Sequence, residues 1–226
     1  MAGLAFAEHL RPEWRAGALL PLDLLQTRAA AAGLTVQLLA FAGFSGFLLV
    51  FALWLQDGQG YSPLDAGLVT IAFSAGSLVI APFTGSLTVR FGRLVVLAGC
   101  LVSSAGALAV LAAAHVTPQA VSGWSLAPGL FVLGLGINLV MPALVTLFLA
   151  AVPPEHAGSA SGIWSTSQQF GGAVGVAVLG SIFFGGLDTS GHDTAFTAST
   201  LTIVAMLVAS GALYLACTPR HRKSAA

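Results

Sequence analysis

Apolar residues run along this chain in long unbroken blocks. No Asp, Glu, Lys or Arg occurs between Arg28 and Asp57, or between Arg93 and Glu155. A helix needs about 20 apolar residues to cross roughly 30 Å of hydrocarbon. That ruler picks out six spans, about 32–55, 66–89, 94–114, 126–152, 162–186 and 197–217, each ending at a turn signal or a charge. Membrane barrels use short alternating segments instead, a pattern missing from this sequence. The expectation is an all-α membrane protein with one six-helix bundle over 32–217. A lead-in over 1–31 precedes it and a basic tail over 218–226 follows.

Composition agrees with the pattern. The 226 residues are 57% hydrophobic and only 7% charged, against about 25% charged in soluble domains. A formal charge of zero removes the basic surface that nucleic-acid binding needs. The lipid bilayer is the partner that remains. The placement of the charges gives an orientation. Arg11, Arg15 and Arg28 precede the first span, Arg90 and Arg93 separate the second from the third, and Arg220, Arg222 and Lys223 follow the sixth. With six spans these lie on one side, which the positive-inside rule makes cytoplasmic. The opposite loops hold Asp57, Asp65, Asp188 and Asp193. A multi-pass protein of the cell (plasma) membrane with both termini inside is expected. The lead-in carries Pro12, Pro21 and mixed charges, with a short amphipathic helix over Leu19–Leu25. His115–Ser125 and Leu187–Phe196 read as external loops, and Pro153–Ser161 as a cytoplasmic one.

Catalytic and metal chemistry find little to work with. Cys100 and Cys217 lie inside or at the end of spans and form no framework, and the five histidines show no ligand spacing. No Ser/His pair, paired Asp or His cluster occurs at depth. Neither enzyme activity, a metal nor a cofactor is expected. The spans also lack any interior carboxylate or basic residue. Proton-coupled carriers need a buried group that titrates, so this chain supplies no obvious proton site.

Polar residues within the spans are the remaining candidates. In the fifth span Gly158, Gly162, Ser165, Gln169, Gly172, Val176 and Gly180 fall on one face. Small residues permit close packing in lipid, so Gly158, Gly162, Gly172 and Gly180 are expected at a helix contact, with Ile163, Phe170, Val174 and Val178 toward lipid. Gln169 sits within that stripe and Gln168 on its flank. Each either bonds across helices or lines a transport path. In the fourth span Pro142 frees the carbonyl of Asn138. That group either holds substrate or is satisfied by a neighbouring Ser or Thr. Pro82 repeats the kink in the second span, and Gln37 in the first is a further path or packing residue.

The turn Gly85-Ser86-Leu87-Thr88-Val89-Arg90-Phe91-Gly92-Arg93 resembles the signature turn of the major facilitator superfamily through Gly85, Leu87, Arg90, Gly92 and Arg93. Where that family usually carries Asp, this chain has Val89. Gly60-Tyr61-Ser62-Pro63-Leu64-Asp65-Ala66-Gly67, Val152-Pro153-Pro154-Glu155-His156-Ala157-Gly158-Ser159-Ala160-Ser161-Gly162 and Gln168-Gln169-Phe170-Gly171-Gly172-Ala173-Val174-Gly175 are similar to the C-terminal portion of fourteen-helix drug:proton antiporters of the EmrB/QacA type. The resemblance implies half of a major facilitator fold, with apolar or cationic small molecules as cargo and Arg90/Arg93 as a conformational latch. It also implies a missing N-terminal half that carries the proton-coupling carboxylates. A self-sufficient homodimer of this chain, or a non-transporting membrane subunit, are the alternatives.

Overall fold

The computed structural model describes residues 28–116, 121–150 and 152–217. The expected helix over Leu19–Leu25, most of the lead-in and the basic tail lie outside them. Six helices among the described residues are long and apolar enough to cross a membrane. Helix α1 (Arg28–Leu53) closes in a π-helical turn, Trp54–Gly58. Then come α2 (Pro63–Phe91), α3 (Arg93–Val116), α4 (Gly123–Ala150), α5 (Ala157–Leu187) and α6 (Gly191–Cys217). The described residues contain no strand.

Local chemistry explains the helix ends. Ser62 caps α2: its Oγ accepts from the Asp65 N–H at 3.2 Å and donates to Asp65 Oδ2 at 2.6 Å, and Pro63 opens the first turn. Gly92 ends α2 at φ +53°, ψ −124°, a region closed to side chains, and α3 starts at the next residue. One expectation is corrected here. Leu187–Phe196 is helical almost throughout, because Gly191 at φ +81° turns the chain in a single residue and α6 begins there. The loop over Pro153–Ser161 is shorter too, since a 3-10 turn over Pro154–His156 feeds α5 at Ala157.

Glycine decides how closely the helices approach. A Cβ on Gly99 would lie 2.9 Å from the Gly136 carbonyl oxygen, and one on Gly106 would lie 2.9 Å from that of Gly129. Helices α3 and α4 are thus in backbone contact along two glycine pairs. Gly76 and Gly134 do the same for α2 and α4, each meeting backbone of the other helix, and Gly175 of α5 sits on the backbone of Ala42 in α1. With no hydrophobic drive between helices in lipid, such contact is the main source of association.

Two apolar cores fill the bundle. One gathers Phe47, Phe51, Trp54, Leu126, Phe183 and Phe196 at the Trp54 end; the other gathers Val36, Val96, Leu144, Phe148, Trp164 and Tyr214 toward the Arg93 end. At the Trp54 end the buried indole stacks on Phe196 at 4.3 Å between centroids, and its Nε1–H donates to Asp193 Oδ1 at 2.9 Å. Gln59 Nε2 reaches the same oxygen at 3.3 Å. Thr197 Oγ1 donates to the Asp193 carbonyl at 2.7 Å and so accepts from His115 Nε2, 3.1 Å away. The ends of α1, α3 and α6 are thereby tied together. Asp193→Ala leaves a buried indole N–H unpaired and is expected to cost about 1–3 kcal/mol, most of it retained by Asp193→Asn. Denaturant unfolding followed by tryptophan emission checks this, and equal midpoints for wild type and Asp193→Ala would show that the clasp carries no stability.

Candidate functional site

One side of the bundle is open and differs in chemistry from the rest. Phe41, Ser45, Leu48 and Ala52 recur on a single face of α1. Near one end of that face stands Gly172 of α5, whose Cβ would lie 3.2 Å from Ser45 Oγ and 3.3 Å from the Phe41 ring. Toward the other end, Leu48, Ala52 and Gln56 border a cleft of about 230 Å³ that is completed by Pro63, Ala66, Gly67 and Thr70 of α2. So α1 is flanked by α2 and α5 on this side. Helix α2 is held by α4 and leaves most of its length uncovered: Leu68, Ile71, Leu78, Val79, Phe83 and Val89 are each more than half exposed. The Pro153 end of α5 presents Ser161, Ser165, Thr166 and Gln169, all exposed. The open side is therefore apolar along α2 and small and polar along α5.

The sequence candidates distribute unevenly over this frame. Gln169 is exposed on the polar strip of α5, beside Phe170 at 62% exposure, whereas Gln168 is half-buried. Gln37 is wholly buried inside the bundle, and neither atom of its amide has a partner. Asn138 is fastened rather than open. Its Nδ2 donates to the Ser77 carbonyl at 2.8 Å, and Ser77 Oγ donates to the Gly134 carbonyl at 3.1 Å. The Asn138 carbonyl freed by Pro142 lies 3.2 Å from Thr84 Oγ1, which shares its proton with the Ile80 carbonyl at 3.1 Å. A threonine on the neighbouring helix has replaced the missing proline N–H. Pro142 is half-buried inside α4, and Pro82 is exposed inside α2; both helices continue through them.

The expected packing face of α5 is corrected at Gly158 and Gly162. Gly158 and Gly162 have open space where a Cβ would stand, whereas Gly172 and Gly180 do face α1, Gly172 closely at 3.2 Å from Ser45 Oγ and Gly180 at 3.4 Å from Leu49. The tight approach to α1 uses Gly171 and Gly175, and Ala160, Trp164 and Leu179 are buried on the same flank. The true contact face is rotated by about a third of a turn from the small stripe. Periodicity reveals a small stripe but not which neighbour it meets, and glycines occupy both faces. At the α2–α3 hairpin Leu87 packs on the Arg93-end core, and Gly85 meets nothing. Arg90 is exposed, its guanidinium 5.2 Å from the Phe91 ring centroid. Arg93 Nη1 reaches the Leu215 carbonyl at 3.5 Å, near the C-terminus of α6, where a cation complements the helix dipole.

Sequence reasoning missed the Trp54–Asp193 clasp and the Ser77–Asn138–Thr84 fastening. A signal existed for both. The topology brings Trp54 and Asp193 to one end of the bundle, and Ser77 and Thr84, seven residues apart, share a face of α2 just as Gly134 and Asn138, four apart, share one of α4.

Comparison with known proteins agrees with this architecture. The family model described as Major Facilitator Superfamily matches residues 33–226. A probable actinorhodin transporter of Streptomyces coelicolor is 42% identical over 181 residues, covering 79% of this chain and 31% of that protein. The multidrug resistance protein Stp of Mycobacterium tuberculosis is 33% identical over 165 residues, 73% of this chain and 30% of its own length. A tetracenomycin C resistance and export protein of Streptomyces glaucescens is 34% identical over 184 residues, 79% and 33% respectively. The chain spans about a third of the length of these relatives.

Proposed function

The chain belongs to the major facilitator superfamily, and from that premise we propose that it is the C-terminal six-helix half of a fourteen-helix drug:proton antiporter of the EmrB/QacA type. It is a multi-pass membrane protein of a transporter family and not an enzyme. The proposed cargo is an apolar or cationic compound, moved outward in exchange for protons. In that scheme two six-helix bundles rock about a central path, each supplying half of its wall. The side formed by α2, α1 and α5 is the wall and mating surface, with Gln168 and Gln169 as path residues. The Arg93 end is cytoplasmic, with both termini there, and the Asp193 end is external. Arg93, tied to α6, anchors the hairpin that carries Arg90. Proton coupling belongs to the other half, since no Asp, Glu, Lys or Arg lies in the interior of a span here.

The observation that carries this reading is the coverage. Most of a six-helix chain corresponds to less than a third of the actinorhodin relative, so a large part of that machine has no counterpart in this sequence. The exposed polar strip of α5 supports it, because polar side chains on a membrane helix face a protein neighbour or a water-filled path in preference to lipid. Affinity-tagged N-terminal helices of the Streptomyces coelicolor relative, produced together with this chain, are expected to co-purify with it in one-to-one ratio. A stable crosslinked pair of this chain that takes up no N-terminal segment would favour the homodimeric carrier instead, and a solitary chain the non-transporting subunit.

A further inference from the structure

Gln37 is the interior residue whose polarity the packing leaves unanswered. It is fully buried, and both Nε2 and Oε1 lack a hydrogen-bond partner. The hydroxyls of Ser103, Ser199 and Thr200 are also unbonded, but a hydroxyl strands one proton, whereas this amide strands two protons and an acceptor. Burying such a group without a protein partner opposes the packing that buries it.

Its position on α1 says where relief lies. Gly33, one turn earlier, faces Phe148 of α4, at 3.9 Å from its would-be Cβ. Phe44, two turns later, stacks on Phe73 of α2 at 5.7 Å and borders Leu133 and Ile137 of α4. Residues 33, 37 and 44 share one helical face, so Gln37 is turned toward α4 at a level between Ile137 and Phe148. Pro142 interrupts the α4 hydrogen-bond ladder in that stretch. The α1–α4 seam is also not clenched. Glycines lock α1 to α5 and α3 to α4 by backbone contact, and none does so between α1 and α4. No charged residue occurs in α1 after Arg28 or in α4, so neither helix offers a counter-charge, and a neutral hydrogen-bonding group is the partner that can enter without one.

We propose that Gln37 is a gated recognition residue: its amide is sealed while α1 and α4 are packed together, and it takes a neutral hydrogen-bonding group of a solute when they part beside Pro142. Recognition of a solute rests on the transporter reading; the sealing and the parting do not. An amide held in an interhelical hydrogen bond would stabilise the bundle, whereas a stranded one weakens it, so the two roles differ in sign.

The test uses the full chain in lipid nanodiscs. Gln37→Met, similar in volume and without the amide, is expected to raise the thermal midpoint by about 2–4 °C. No change, or a fall, would overturn the proposal. In a second arm Gln37→Cys is made in a Cys217→Ser background, and N-ethylmaleimide labelling of position 37 is compared with that of Cys100. Cys100 is equally buried but lies on α3 against Gly211 of α6. Opening at the α1–α4 seam exposes position 37 alone, so it is expected to label at least about tenfold faster than Cys100. Equal rates mean that only global unfolding exposes either, and overturn the gate. If both results hold while no assembled protein exports a dye, the transporter reading fails and the gate stands.

Discussion

Gly136→Leu is expected to prevent the six helices from assembling, the largest effect of any single substitution considered. A Cβ at this position would run into the backbone N–H and the hydroxyl of Ser103 and lie 2.8 Å from the Gly99 carbonyl oxygen. Ordinary overpacking costs about 1–3 kcal/mol because side chains shift. Here the obstacle is backbone of a facing helix, and the only relief is for α3 to move away from α4. That movement also pulls apart Gly106 and Gly129 one level along the same seam. Since α4 holds α2 through Gly134, Ser77 and Asn138 as well, the damage spreads beyond one pair. Size-exclusion chromatography in detergent should show aggregate in place of a monodisperse peak. Gly162→Ala is the matched control, because that position has open space and alanine favours helix by about 0.5–1 kcal/mol. A monodisperse, thermally unchanged Gly136→Leu protein would mean that α3 and α4 are not in backbone contact.

Those seams mark the limit of what could be read from the sequence. The spans themselves were legible, because a run without charge between Arg93 and Glu155 admits few alternatives in a chain this apolar. The reversal at Gly92 was legible too, since the residue stands between two arginines at a helix boundary. Asn138 shows an intermediate case. Pro142 announced a freed carbonyl, and only the structure could say that Thr84 answers it. The face of α5 was placed only in part, for a different reason. Gly158, Gly162, Gly171, Gly172 and Gly175 spread over about half of the helix circumference, and nothing local decides which of them will meet α1. The same holds for Leu187–Phe196, whose polar residues read as loop while one positive-φ glycine made a separate loop unnecessary. Tertiary choice, not propensity, settled both.

For function, the largest expected effect is all-or-none: the 226-residue chain alone is expected to move no substrate. Its open side exposes α2 and the polar strip of α5, so any path bounded by that side lacks its second wall. None of its six described spans holds an interior Asp, Glu, Lys or Arg to exchange a proton, and a carrier without such a group cannot draw on the proton gradient. Under the proposed function, the N-terminal helices of a relative supply both. Within such an assembly Gln169 is the proposed path residue, whereas Asn138, bonded on two atoms to α2, acts as a fastening.

The most direct measurement is ethidium efflux from energised bacterial cells that lack their own exporters. Cells producing this chain alone, the N-terminal helices of the Streptomyces coelicolor relative alone, or both together are compared, with and without a protonophore. Protonophore-sensitive efflux only when both are present is the predicted result. Efflux by this chain alone, or none when the two have been shown to associate, would contradict the half-transporter account.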